Sequence, residues 1–194
     1  MWRDTLEPSF LTAENGRVHM NILVSHCFLG EPCRYDGQSR LDRQIIELHR
    51  AGHNLIPVCP EVLGGLETPR PPAELQPDGQ VLTREGEDVT SQYRAGAERV
   101  LAIARERDCD IAILKARSPS CGSGEVYDGS FTGTLTPGWG VAARLLSDAG
   151  IEVIDEEHLP AWLYQCPPPS RTAGRQKSIE NRLTIKNLAA GRSV

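Results

Sequence analysis

Four short apolar runs constrain this chain most: Asn21 to Ser25, Asn54 to Val58, Asp110 to Lys115 and Ile151 to Ile154. Short, continuous runs rich in branched residues are the pattern of strands buried on both faces of a parallel sheet. Helical patterns separate them. Ser39 to Ala51 places Leu41, Ile45 and Leu48 on one face, with Gly52 as a stop. A second helix opens at Asp88 or Thr90 and carries Tyr93, Ala97, Val100, Leu101 and Ala104 at helical spacing. A third spans roughly 139–149, and Glu156 to Gln165 reads as helical. Alternating strand and helix predicts the α/β class: a single domain with a mainly parallel, Rossmann-like sheet flanked by helices.

Loops carry much of what remains. The chain holds 18 Gly and 14 Pro, concentrated in long stretches at 30–38, 64–88 and 118–138, which are expected to be functional loops. The second of these is expected to contain a short hairpin at Val81-Leu82-Thr83. Residues 1–19 read as an N-terminal extension, 20–166 as the α/β domain, and 167–194 as a basic, flexible tail. The tail has six Arg and Lys against Glu180, a net +5, which leaves −10 of the chain's −5 total on residues 1–166.

Several function classes fall away. No apolar run approaches the ~18 residues of a membrane helix. Asp4, Glu7 and Glu14 with no apolar segment argue against a secretory signal, so the expected location is cytoplasmic. An acidic body is a poor surface for nucleic acid, although the basic tail leaves a tRNA contact open. Neither GxGxxG nor GxxxxGK[ST] occurs, so motif-based nucleotide cofactors are excluded. His49 and His53 are spaced i, i+4, but Gly52 ends the helix between them, and both are read as surface side chains.

The six cysteines form no CxxC pair. Cys27 lies two residues past the first strand, Cys59 one past the second, and Cys121 in the loop leaving the third. Ligands of an open parallel sheet bind at the carboxyl ends of its strands, so these three thiols are expected to meet there despite 31 and 61 intervening residues. Cys33 is a neighbour or a fourth ligand, while Cys109 and Cys166 read as packing. Four thiols, or three with His26, would suit zinc. Three would hold an iron–sulfur cluster with one iron open for Lewis-acid chemistry. Glu61 follows Cys59 by two positions, and Ser118 and Ser120 precede Cys121. A carboxylate and a hydroxyl beside a Lewis acid can act as base and proton donor, and Ser120 is a further substrate contact. Arg70 and Lys115 are the candidate anion binders. Tyr35-Asp36-Gly37 after Cys27 echoes Tyr127-Asp128-Gly129 after Cys121, and is read as ordinary turn chemistry.

The stretches Ile22-Leu23-Val24-Ser25-His26-Cys27-Phe28-Leu29-Gly30, Cys33-Arg34-Tyr35-Asp36-Gly37, Pro57-Val58-Cys59-Pro60-Glu61, Thr68-Pro69-Arg70-Pro71 and Arg117-Ser118-Pro119-Ser120-Cys121-Gly122 resemble one bacterial and archaeal domain family. It was long labelled as of unknown function and includes the thiouracil desulfidases. The resemblance covers about residues 20–155. It implies a [4Fe-4S] cluster on Cys27, Cys59 and Cys121 with one open iron, and catalytic roles for Glu61 and Ser118. It also implies hydrolytic, non-redox loss of hydrosulfide from a thiolated pyrimidine such as thiouracil or 4-thiouridine monophosphate. Thiolated tRNA or another thiocarbonyl metabolite is the alternative substrate, and a non-catalytic zinc or thiol-binding module the alternative function. The tail is too short to be the extra RNA-binding domain of longer relatives.

Overall fold

Two alternating sets of apolar side chains fix the central strands. Ile22, Val24, Ile111 and Ile113 pack on one side of the sheet with Phe28, Ile45 and Leu48. Leu23, Ala112 and Leu114 pack on the other with Val100, Ala104, Ala143 and Leu146. This period of two follows from the strand pleat. Each fully buried Ile or Leu is worth ~1.5–3 kcal/mol over leaving it exposed.

The computed structural model describes residues 19–164, so the extension up to residue 18, Cys166 and the basic tail lie outside the described residues. In chain order the elements are β1 (Asn21–Ser25), α1 (Arg43–Arg50), β2 (Asn54–Val58), α2 (Pro60–Leu63), β3 (Ala73–Leu75), β4 (Val81–Thr83), α3 (Thr90–Glu106), β5 (Ile111–Leu114), β6 (Glu125–Tyr127), β7 (Leu135–Pro137), α4 (Val141–Asp148) and β8 (Glu152–Asp155). The main sheet runs β2-β1-β5-β8, all parallel. Pro57 is tolerated because β2 is an edge strand. Helix α1 packs on one face and α3 with α4 on the other. This is the expected α/β architecture. Among the described residues no helix is long and apolar enough to cross a membrane.

Several expectations need correction. Helix α1 begins at Arg43, not Ser39, because the Asp42 carboxylate caps it, accepting from the Gln44 and Ile45 N–H groups at 2.8 and 3.4 Å. Leu41 therefore leaves the helical face and is 61% exposed. The segment after β8 forms only a 3-10 turn at Ala161–Tyr164, since Pro160 biases the residue before it out of the helical region. The loop 118–138 contains the antiparallel β6–β7 hairpin, a counterpart to the expected β3–β4 hairpin. His53 is not at the surface: it is buried, with Nε2 2.8 Å from the Leu163 carbonyl, and so ties down the final turn.

Helices α2 and α3 touch backbone to backbone. A Cβ on Gly96 would sit 1.9 Å from the Pro60 carbonyl oxygen, and one on Gly64 2.1 Å from that of Gln92. Only glycine permits this approach, which fixes α2 against α3 one turn from Tyr93.

Candidate active site

Parallel strands send their carboxyl ends to one edge, and here three adjacent ones deliver thiols. Cys27 sits in the 3-10 turn His26–Leu29 directly after β1, and Gly30 closes that turn in a left-handed conformation at φ 96°. Cys59 is the residue before α2, whose first helical position is Pro60. Cys121 lies in the loop after β5, where the Ser118 hydroxyl accepts the N–H groups of Ser120 and Cys121, both at 3.2 Å. All three line one cavity of about 520 Å³, together with Cys33, Glu61 and Ser118.

The thiols are free and mostly buried. Cys33 lies against both Cys27 and Cys59; hydrogen bonding with Cys27 is the main cause that raises its thiol to about 11. Cys59 is pushed well above the usual thiol range, chiefly by its contact with Cys33 and by burial. Its Sγ also donates to the Cys33 carbonyl at 3.7 Å. Burial, followed by the neighbouring Cys59 and Glu61, pushes Cys121 up to about 12. Ser25, at the end of β1, lies beside Cys121 and accepts the Lys115 N–H at 2.9 Å, which locks β1 to β5 under the cavity. Among the described residues, no three His, Cys, Asp or Glu side chains are placed to share a single metal ion.

Glu61 sits in the first turn of α2. Its Oε2 meets Arg70 Nε and Nη2, each at 2.7 Å, with side chains only 13% and 7% exposed. Arg70 also donates to the Glu67 carbonyl, the Thr68 hydroxyl and the Cys33 carbonyl, all at 3.0 Å. Its donors are thus engaged with protein around Glu61. Tyr93 on α3 is buried and faces the same cavity. Burial, then the Glu61 carboxylate, holds its phenol far above the ordinary range.

The other expected residues part ways. Lys115 lines the cavity and pairs with the buried Glu156 at 2.9 Å; Glu156 also accepts the Ala116 N–H at 2.7 Å. Ser120 is fully buried, and its hydroxyl has no partner among the described residues. Cys109 lies at the opposite edge, before β5. Sequence reasoning missed Arg34, Arg40 and Arg84, which line the cavity, and the aromatic wall of Tyr35, Tyr127 and Phe131. The Tyr-Asp-Gly echo was the available signal: both of its tyrosines line this cavity.

Known proteins share this arrangement of chain. A family model described as 2-thiouracil desulfurase matches residues 22–158. The uncharacterized protein YbbK of Bacillus subtilis (strain 168) is 43% identical over 150 residues, 71% of this chain and 97% of that protein. A solved structure, the [4Fe-4S]-dependent thiouracil desulfidase TudS, matches with a TM-score of 0.68 at 45% identity, covering 73% of this chain and 93% of the other. With the family model spanning most of the described residues, the chain belongs to the 2-thiouracil desulfurase family.

Proposed function

We propose that this chain hydrolytically desulfurates a thiolated pyrimidine base or nucleotide, such as thiouracil or 4-thiouridine monophosphate, with a [4Fe-4S] cluster held by Cys27, Cys59 and Cys121. The observation that carries the reading is the meeting of these three thiols with Glu61 and Ser118 in one cavity at the carboxyl edge of the sheet. The donor set fits the cofactor: thiols are the usual ligands of such clusters, and these three are free and line one cavity. When bound through three cysteines, such a cluster supplies an open iron as Lewis acid for the thiocarbonyl sulfur.

The protein groups then divide the proton work. Arg70 holds Glu61 by one oxygen, and the carboxylate accepts a proton from the water that adds to the thiocarbonyl carbon. The Ser118 oxygen accepts two N–H groups, which leaves its own O–H as the donor it can offer, to the neighbouring Cys121 sulfur or to the substrate. Hydrosulfide leaves as the carbonyl forms, with no net redox change. Lys115, Arg34 and Arg40 line the same cavity; Glu156 pairs with Lys115 and Arg40 and Asp36 with Arg34, which leaves one net positive charge for a nucleotide phosphate. Arg70, its donors taken by Glu61, Glu67, Thr68 and Cys33, serves to position the carboxylate. Free thiols of this kind suit the reducing cytoplasm.

The test is anaerobic purification of the full chain, followed by its visible spectrum, iron content and hydrosulfide release. About four irons and hydrosulfide from thiouracil or 4-thiouridine monophosphate are expected. The second reading is a four-thiol zinc module that adds Cys33, which touches Cys27 and Cys59; it requires the thiols to draw closer, since among the described residues no three of them are placed to share one ion. A colourless protein with one zinc and no turnover would establish that reading and overturn the first.

A further inference from the structure

Part of the cavity wall is built by the two hairpins, and one buried carboxylate joins them. Glu74 on β3 is 8% exposed. Its Oε2 accepts the backbone N–H groups of Gly129 and Phe131, at 3.0 and 2.9 Å, from the loop between β6 and β7. Gln76 adds a bond to the Gly129 carbonyl at 3.2 Å. Within the loop, hydroxyls form a ladder: Ser130 to Asp128 at 2.5 Å, Ser130 with Thr132 at 2.7 Å, and Thr132 with Thr134 at 2.8 Å. A segment tied this often is held in one conformation before any ligand arrives.

What it holds is Phe131. That residue has φ 57°, a left-handed conformation costly for a bulky side chain. Such strain persists where surrounding contacts over-determine it, and it concentrates at ligand clamps. The ring lines the cavity, and the Arg84 guanidinium, from the turn after β4, lies over it at 5.8 Å from the centroid. A cation over an aromatic ring fixes the ring's plane. Glu74, Phe131 and Arg84 are thus linked into one preset unit on the wall of the cavity that Glu61 and Ser118 also line.

We infer that Phe131, hung from Glu74 and with Arg84 over one face of its ring, is the platform on whose other face the substrate's heterocycle stacks, and that it sets the preference for a flat ring. It acts by orientation: stacking fixes the plane of the ring and so the direction of its exocyclic sulfur, while Phe131 takes no part in proton transfer. Base–aromatic stacking is strong enough for removal of the ring to weaken binding by about tenfold.

This inference rests on the pyrimidine reading above, and the two are tested apart. Hydrosulfide release by the anaerobically prepared wild-type protein tests the activity. Equilibrium binding of uracil, the desulfurated product, tests the platform without turnover. Phe131→Leu places another side chain at the same φ, so backbone strain is matched and only the ring is lost. Phe131→Leu is expected to bind uracil about tenfold more weakly, and Phe131→Tyr within about twofold of wild type, both with unchanged iron content and Tm. Glu74→Gln keeps the acceptor oxygen and stays near wild type, whereas Glu74→Leu shows the Phe131→Leu defect. Equal uracil binding by wild type and Phe131→Leu overturns the platform, as does a wild-type protein that leaves millimolar uracil unbound. Loss of hydrosulfide release with the binding pattern intact overturns the activity alone.

Discussion

Arg70 grips a single carboxylate oxygen of Glu61 with two of its nitrogens, each at 2.7 Å, and both side chains are nearly buried. Removing one partner of such a pair strands the other charge, a cost of about 3 kcal/mol. Arg70→Met should therefore lower stability by about that amount in urea unfolding and reduce hydrosulfide release at least about 100-fold. Glu61→Gln keeps a hydrogen-bond acceptor for Arg70 but not its counter-charge, so it should still fold at reduced stability and lose turnover by a similar factor. A Glu61→Gln enzyme with near-normal turnover would remove Glu61 from the proton work.

The α2–α3 contact gives a second prediction. The Cβ of Gly96→Ala would overlap the Pro60 backbone oxygen, which cannot rotate away as a side chain can. Helix α2 must move, at about 1–3 kcal/mol, and Glu61 moves with it. Calorimetry should show a lowered Tm, and turnover should fall. Ala102→Ser on the exposed face of the same helix should change stability by less than ~0.5 kcal/mol.

The cysteines are separated by iron content. Cys27→Ala, Cys59→Ala and Cys121→Ala should each prevent retention of iron and brown colour in anaerobic protein, whereas Cys109→Ala should keep both. A Cys121→Ala protein with full iron would exclude that thiol from the ligand set.

Cys109 has its own signature at alkaline pH. Burial, with Asp110 and Asp108 alongside, raises its thiol from 9.0 to about 11. Below pH 9 the thiol is protonated in both folded and unfolded chains and adds no pH dependence. Between about 9 and 11 the unfolded chain ionises and the folded one does not, so stability falls, by about 1 kcal/mol at pH 10. Urea unfolding at pH 8 and pH 10 should show this decline, and Cys109→Ala should flatten that part of it.

The four strands and α3 were legible because each is long enough to express its period, and the register of buried Ile, Leu and Val does the rest. Helix α2 was not: four residues cannot display a helical repeat, and its position depends on Gly64 and Gly96 meeting across space. The thiol edge could be read from topology, since loop position alone brings Cys27, Cys59 and Cys121 together. The partners of charged side chains could not. Arg70 looked like an anion binder because sequence shows a cation in a loop and hides the nearby carboxylate. Ser120 adjoins Ser118 in sequence, yet lies fully buried, because the tight turn that presents one hydroxyl buries the next. The aromatic wall was obscured by Gly-rich loops that disguise the β6–β7 hairpin.

The strand order β2-β1-β5-β8 also governs how the protein must be made. Neighbours in this sheet are distant in the chain, so Cys27 and Cys59 acquire their third companion only after residue 121 has been synthesised. Lys115 gains its Glu156 partner later still. Every residue that lines the pocket is in the chain by Gly133, but β8, which flanks β5 in the sheet beneath it, follows only at Glu152–Asp155. The thiols are therefore all synthesised before the sheet that positions them is complete, and delivery of metal to all three cannot precede Cys121.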